Sequence, residues 1–166
     1  MAGSEDCATP QWVHFFSYQL DRSPKALRQF GVEWQAVELA SLKNYRLVFN
    51  VLDDERFFFE RRGIANLMPR IGAETEGLLY TLPDSALPQL DQWAGVDRLK
   101  YYRKMAPVRK HNGDTVQAFT YIAWPDVTAN GLRPSNRYLQ RLVQEARCRG
   151  CSQQFVHWLQ AHPTAC

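Results

Sequence analysis

Asn112-Gly113 stands between two runs of β-forming residues, 101–110 and 115–124, and constrains the fold more tightly than any other part of the chain. An Asn-Gly connection favours the tight turn whose twist matches that of paired strands, because both residues tolerate positive φ. The sequence therefore predicts an antiparallel hairpin with His111-Asn112-Gly113-Asp114 at its tip.

The remaining elements follow from local pattern. Residues 11–18 form a β-branched and aromatic run that reads as a buried strand. Asp21-Arg22-Ser23-Pro24 then turns the chain, with Ser23 as N-cap and Pro24 as first residue of a short helix that Gly31 stops. Residues 33–39 and 45–51 read as two strands separated by the polar stretch Ser41-Leu42-Lys43-Asn44. Residues 53–62 read as a loop whose Phe57-Phe58-Phe59 folds inward or caps a pocket. Residues 64–68 and 76–82 alternate like strands, with 69–73 connecting them. Pro83-Asp84 opens a helix carrying Leu87, Leu90 and Trp93 at helical spacing, and Gly95 ends it, which puts Ala94 at its C-terminus. Pro134-Ser135 begins a helix with Tyr138, Leu139, Leu142, Val143 and Ala146 on one face, and 153–159 form a last short helix before Pro163.

At 166 residues the chain suits one domain. We expect a flexible N-terminus over 1–11, a single domain over 12–162 and a tail over 163–166. Apolar residues make up 45% and aromatics 13%, enough to build a core. The net charge of +3 gives no strong pull toward nucleic acid or an anionic membrane. Short clusters such as Arg61-Arg62 and Arg147-Cys148-Arg149 fit solvated surface better than phosphate contacts. The start of the chain lacks the pattern of a secretory signal, and no run reaches the roughly 20 apolar residues of a membrane span, so a cytoplasmic location is expected. Cys148-Arg149-Gly150-Cys151 has the C-x-x-C spacing but no second ligand pair, and it falls late in a helix rather than at the start of one. Ordinary thiols are the better reading, and no metal or cofactor is expected. The oligomeric state is not legible in the sequence.

Leu90-Asp91-Gln92-Trp93-Ala94-Gly95-Val96, followed by Tyr101-Tyr102-Arg103, resembles the "LD-x-x-EGV…YYR" segment of the γ-glutamylcyclotransferase (AIG2-like) family. Other segments resemble it in the same order. Phe16-Ser17-Tyr18-Gln19-Leu20-Asp21-Arg22-Ser23-Pro24 falls where the family carries "FAYGSNLSP", and Ile64-Ala65-Asn66-Leu67-Met68-Pro69 is similar to "ANIVP". Glu76-Gly77-Leu78-Leu79-Tyr80 resembles "WGVLY", Gln117-Ala118-Phe119-Thr120-Tyr121 resembles "EAWTY", and Pro134-Ser135-Asn136-Arg137-Tyr138 resembles "PSxxY". The resemblance implies an α+β fold, a small, mixed, partly closed β-barrel with flanking helices. It places a cavity between the Tyr18 loop and the helix end at Ala94.

The same resemblance implies a reaction. In that family the α-amine of a γ-glutamyl amide attacks its own γ-carbonyl, releasing 5-oxoproline and a free amine. Ring closure in one bound molecule gains from proximity, up to about 7–11 kcal/mol. A glutamate takes up the ammonium proton, a contribution of typically about 10²–10⁴-fold. Here Ala94 occupies the position of that glutamate, and a methyl group accepts no proton. The loop glycine, serine and asparagine are replaced by Gln19, Leu20 and Asp21, which restricts the backbone, adds bulk and brings a negative charge. Two departures together favour natural divergence over an engineered glutamate-to-alanine change.

The residues matched to the family's substrate site are Tyr18, Gln19, Leu20, Asp21, Trp93 and Tyr138. Asp21 is the leading replacement base because it lies in the substrate loop; Asp91, Glu74 and Glu76 are others, and each also fits a surface or helix-end charge. Tyr138 fits equally a ligand contact and a packing residue, while Phe58 and Trp124 fit cavity wall or core. Two functions stand open: an enzyme acting on a γ-glutamyl amine or amide with altered or lost chemistry, and a non-catalytic member that binds a small γ-glutamyl ligand or a protein through the old pocket.

Overall fold

The computed structural model describes residues 9–53 and 62–165. The residues 54–61, including Phe57-Phe58-Phe59, lie outside the described part. Its strands are β1 (Trp12–Ser17), β2 (Ala36–Leu52), β3 (Gly63–Pro83), β4 (Tyr101–Lys110) and β5 (Thr115–Ala123), and its helices α1 (Pro24–Gln29), α2 (Leu87–Ala94), α3 (Asn136–Arg149) and α4 (Gln153–Gln160). The strands close into a barrel in the order β1-β3-β2-β4-β5. All pairings are antiparallel except the closing one, where β1 meets β5 in parallel at Phe15 and Phe119. The mixed barrel with flanking helices is thus present, and it is closed.

The Asn-Gly hairpin forms as expected: β4 pairs with β5 from Tyr101–Ala123 to Arg109–Thr115, and Gly113 takes the positive φ of 95° that the turn requires. Ser23 caps α1 by accepting the Ala26 N–H at 3.2 Å. Ser135 does the same for α3 through the Tyr138 N–H at 3.1 Å.

Two expectations need correction. The segments 33–39, from residue 36 on, and 45–51 belong to one strand, β2, and the segments 64–68 and 76–82 to another, β3. The break in the sequence pattern is a bulge. Ala40 and Leu42 are buried, then Leu47, Phe49 and Val51, so the inward phase moves by one residue near Asn44. Between the pairs Lys43–Glu74 and Tyr45–Pro69, Asn44 alone stands opposite residues 70–73. Asn44 adopts a φ of 64°, and its Oδ1 accepts the Gly72 N–H at 3.1 Å. A period-two reading sees that extra chain as a connection.

Helices α3 and α4 supply Leu139, Leu142, Val143, Ala146, Phe155, Val156 and Leu159 to one core shared with the barrel. Glu76 ties α4 to β3: its carboxylate accepts from both the N–H and the hydroxyl of Ser152, the N-cap. That contact places Glu76 at a helix start, where a negative charge is favourable. Gly77 beside it sits where β3 passes under the end of β1, and a Cβ there would fall 2.5 Å from the Ser17 carbonyl oxygen. Only glycine allows this approach, which anchors the start of the loop after β1. Among the described residues no helix is long and apolar enough to cross a membrane.

Candidate functional site

A cavity lies between the loop that follows β1 and the C-terminal end of α2. Its walls are Tyr18, Gln19 and Arg22 from the loop, Trp93 and Ala94 from α2, Phe15, Phe16 and Ser17 from β1, and Tyr101, Thr120 and Tyr121 from β4 and β5. The α2 wall is set by local sequence. Leu90 and Ala94 turn one face of the helix to the core, and Gly95 ends it with a left-handed φ of 79°. The β wall depends on the parallel seam, where Thr120 Oγ1 donates to the Phe16 carbonyl at 2.8 Å and Tyr18 OH donates to the Tyr121 carbonyl at 2.7 Å. The free volume is about 20 Å³, room for about one water molecule.

Among the described residues, none that lines this cavity carries a carboxylate. Asp91, one turn before Ala94, accepts from Tyr121 OH at 2.7 Å and pairs with Arg103 Nε at 3.2 Å. Those donors hold α2 against the hairpin. Trp93 stacks on Phe30 at a centroid distance of 5.9 Å, and the Arg22 guanidinium lies 4.7 Å from its ring centre, a cation–π contact at the cavity wall.

The loop residues divide between cavity and interior. Tyr18 and Gln19 line the cavity, whereas Leu20 is buried in the core cluster. The Gln19 side chain lies beside the Tyr18 and Tyr101 hydroxyls and opposes the rise that burial gives their pKa values. Asp21 is absent from the cavity wall. Its carboxyl is largely buried and its Oδ1 has no hydrogen-bond partner among the described residues. Burial holds this carboxyl above the usual carboxylate range, opposed by the charges of Arg22 and Arg141. The charge facing the cavity from this loop is therefore the guanidinium of Arg22.

A pH test follows. The unfolded chain loses the Asp21 proton near the ordinary value of about 3.9, and the folded chain at a higher pH. Between those values the unfolded state binds fewer protons, so the stability present below the ordinary value falls as pH rises through the folded value. Asp21→Asn should remove that decline and make the protein more stable at pH 7 relative to wild type than at pH 4, read from urea midpoints at both. Loss of stability at pH 7 would mean that attraction to Arg22 and Arg141 outweighs burial.

Tyr138 does not line the cavity; its hydroxyl accepts the Ala65 N–H at 3.2 Å, while Tyr101 OH donates to the Ala65 carbonyl at 3.1 Å. Together they satisfy the main-chain donor and acceptor of Ala65, a buried residue of β3. Tyr138→Phe strands the Ala65 N–H, and its expected cost is about 1–3 kcal/mol in a denaturant titration. Trp124 also lies off the cavity, half-exposed with its ring 4.6 Å from that of Tyr102. Cys148 is exposed at the end of α3 and Cys151 follows the Gly150 cap. Burial pushes the Cys151 thiol up to about 12, opposite to the lowered value of a reactive thiol.

Sequence reading missed Phe15, Phe16, Ser17, Arg22, Tyr101, Thr120 and Tyr121 as cavity residues. All but Phe15 lie within the motif segments already singled out, and the register of β4 and β5 against β1 is what turns Tyr101, Thr120 and Tyr121 to one space.

Residues 74–159 match the sequence profile of the AIG2-like family. The chain belongs to that family. Among solved structures, this AIG2-like chain is similar to a γ-glutamyl cyclotransferase at 18% identity and a TM-score of 0.78, with 93% of this chain and 89% of that one covered. An uncharacterised protein from Homo sapiens gives 19% identity and a TM-score of 0.77 over 92% of this chain and 89% of that one. A yeast γ-glutamyl cyclotransferase specific to glutathione gives 13% and 0.69 over 90% and 93%. These likenesses establish the shared fold. No curated protein matches the sequence.

Proposed function

We propose that this AIG2-like protein binds a γ-glutamyl compound in the cavity between the first loop and α2, and that ring closure to 5-oxoproline is lost or strongly weakened there. The observation that carries this reading is the methyl group of Ala94 at the helix end on the cavity wall, with no carboxylate among the described residues that line it. Arg22 supports recognition of an anionic head group, since a guanidinium pairs well with a carboxylate. The present volume is too small for a glutamyl group, so binding requires side chains of the wall to move apart.

A second reading keeps catalysis and gives proton transfer to Asp21. Its support is the buried Oδ1 without a partner among the described residues and the raised carboxyl, since a higher pKa makes a carboxylate a stronger base. One experiment separates the two. The protein is incubated with γ-glutamyl dipeptides, γ-glutamyl amines and glutathione, 5-oxoproline is measured, and binding is followed in parallel by calorimetry. Binding without product is the expected result. Product that disappears in Asp21→Asn supports the relocated base, and absence of both binding and product overturns the γ-glutamyl assignment.

A further inference from the structure

A groove of about 810 Å³ runs between β2, the bulge of β3, the tip of the β4–β5 hairpin and α4, and it shares no lining residue with the cavity described above. Its shape comes from two local irregularities. Residues 70–73 bulge out of the sheet opposite Asn44. On the other side of β2, pairing with β4 is confined to Ala40–Lys110 and Ser41–Arg109, and Pro107, which has no N–H to donate, stands just beyond.

The lining combines an apolar base with a cationic rim. Leu39, Leu47, Phe155 and Trp158 contribute the apolar surface, and Arg46, Arg70, Arg109 and Lys110 the cations. Lys110 is paired with Glu38 at 3.6 Å, and Arg46 lies 5.8 Å from the Trp158 ring centre. The two carboxylates of the groove are Glu74 and Glu76, and Glu76 is taken up by Ser152. Arg70 and Arg109 are exposed, and no carboxylate of the described residues pairs with either. Unpaired guanidinium groups at the edge of a concave apolar surface attract anions and bind carboxylate or phosphate oxygens through paired N–H donors. The volume falls in the usual range of small-molecule sites, about 300–1,000 Å³.

We propose that this groove is a second binding site, for an organic anion whose apolar body lies against Leu39, Phe155 and Trp158 and whose carboxylate or phosphate is held by Arg70 and Arg109. The test titrates isotope-labelled full-length protein with decanoate, decyl phosphate and decanol, following amide and indole resonances. Decanoate or decyl phosphate should shift Ser41, Phe155 and the Trp158 indole, the stronger of the two naming the head group. Decanol, with the same chain and no charge, should bind at least about tenfold more weakly, as should either anion to the Arg70→Gln/Arg109→Gln double variant. Both arginines are exposed, so the variant should keep the wild-type melting temperature. Absence of groove shifts, equal binding of decanol, or unchanged affinity in the double variant would each overturn the proposal. None of these outcomes bears on 5-oxoproline formation.

Discussion

Ala94→Glu, placed in a chain that also carries Gln19→Gly, Leu20→Ser and Asp21→Asn, should raise 5-oxoproline release from a γ-glutamyl amide by about 10²–10⁴-fold over the loop variant alone, the usual yield of a positioned proton acceptor. Position 94 is the last helical residue, with its side chain on the cavity wall, so a carboxylate there reaches the space a substrate amine would occupy. The cavity as it stands has about 20 Å³ free, and of these three loop residues Gln19 is the one on its wall, so Gln19→Gly is the change that makes room. Ala94→Glu alone is therefore expected to yield little product, because the new side chain competes for the same small volume. Equal and undetectable turnover in both combined variants would show that the pocket has diverged beyond these four positions.

Phe16→Ala should cost about 3–5 kcal/mol of folding stability, measured from the urea midpoint at constant slope. Phe16 is fully buried, and its ring fills the space over Gly77, where a Cβ would meet Phe16 Cζ at 2.8 Å. It also forms part of the cavity wall, and its carbonyl accepts the Thr120 hydroxyl across the parallel seam. Removing the ring leaves a hole next to the weakest closure of the barrel, where β1 and β5 share a single bridge pair. A cost below about 1 kcal/mol would mean that the wall collapses into the vacated space, contrary to close packing here.

The placement of Asp21 bears on both readings of function. As a sequence letter it puts a negative charge into a substrate loop, which would repel a carboxylate. In the fold it turns inward with its carboxyl held above the usual range by burial, and Arg22 takes the place on the wall. A loop that reads as hostile to an anion thus presents a cation to it.

Much of the fold was legible because its signals are short. Asn112-Gly113 makes its turn, Ser23 and Ser135 cap their helices, and Gly95 ends α2, each through contacts within a few residues. That position 94 holds a methyl group is equally plain from sequence, being a matter of residue identity. The continuity of β2 and β3, the inward turn of Asp21, the use of Tyr138 and Tyr101 to hold the Ala65 peptide, and the near-filled cavity were decided by the tertiary structure. Each depends on residues distant along the chain, such as Ala65 with Tyr138 or Phe16 with Thr120. Burial and hydrogen-bond partnership arise only when such segments meet, and no local pattern encodes which atoms will then be left facing the cavity.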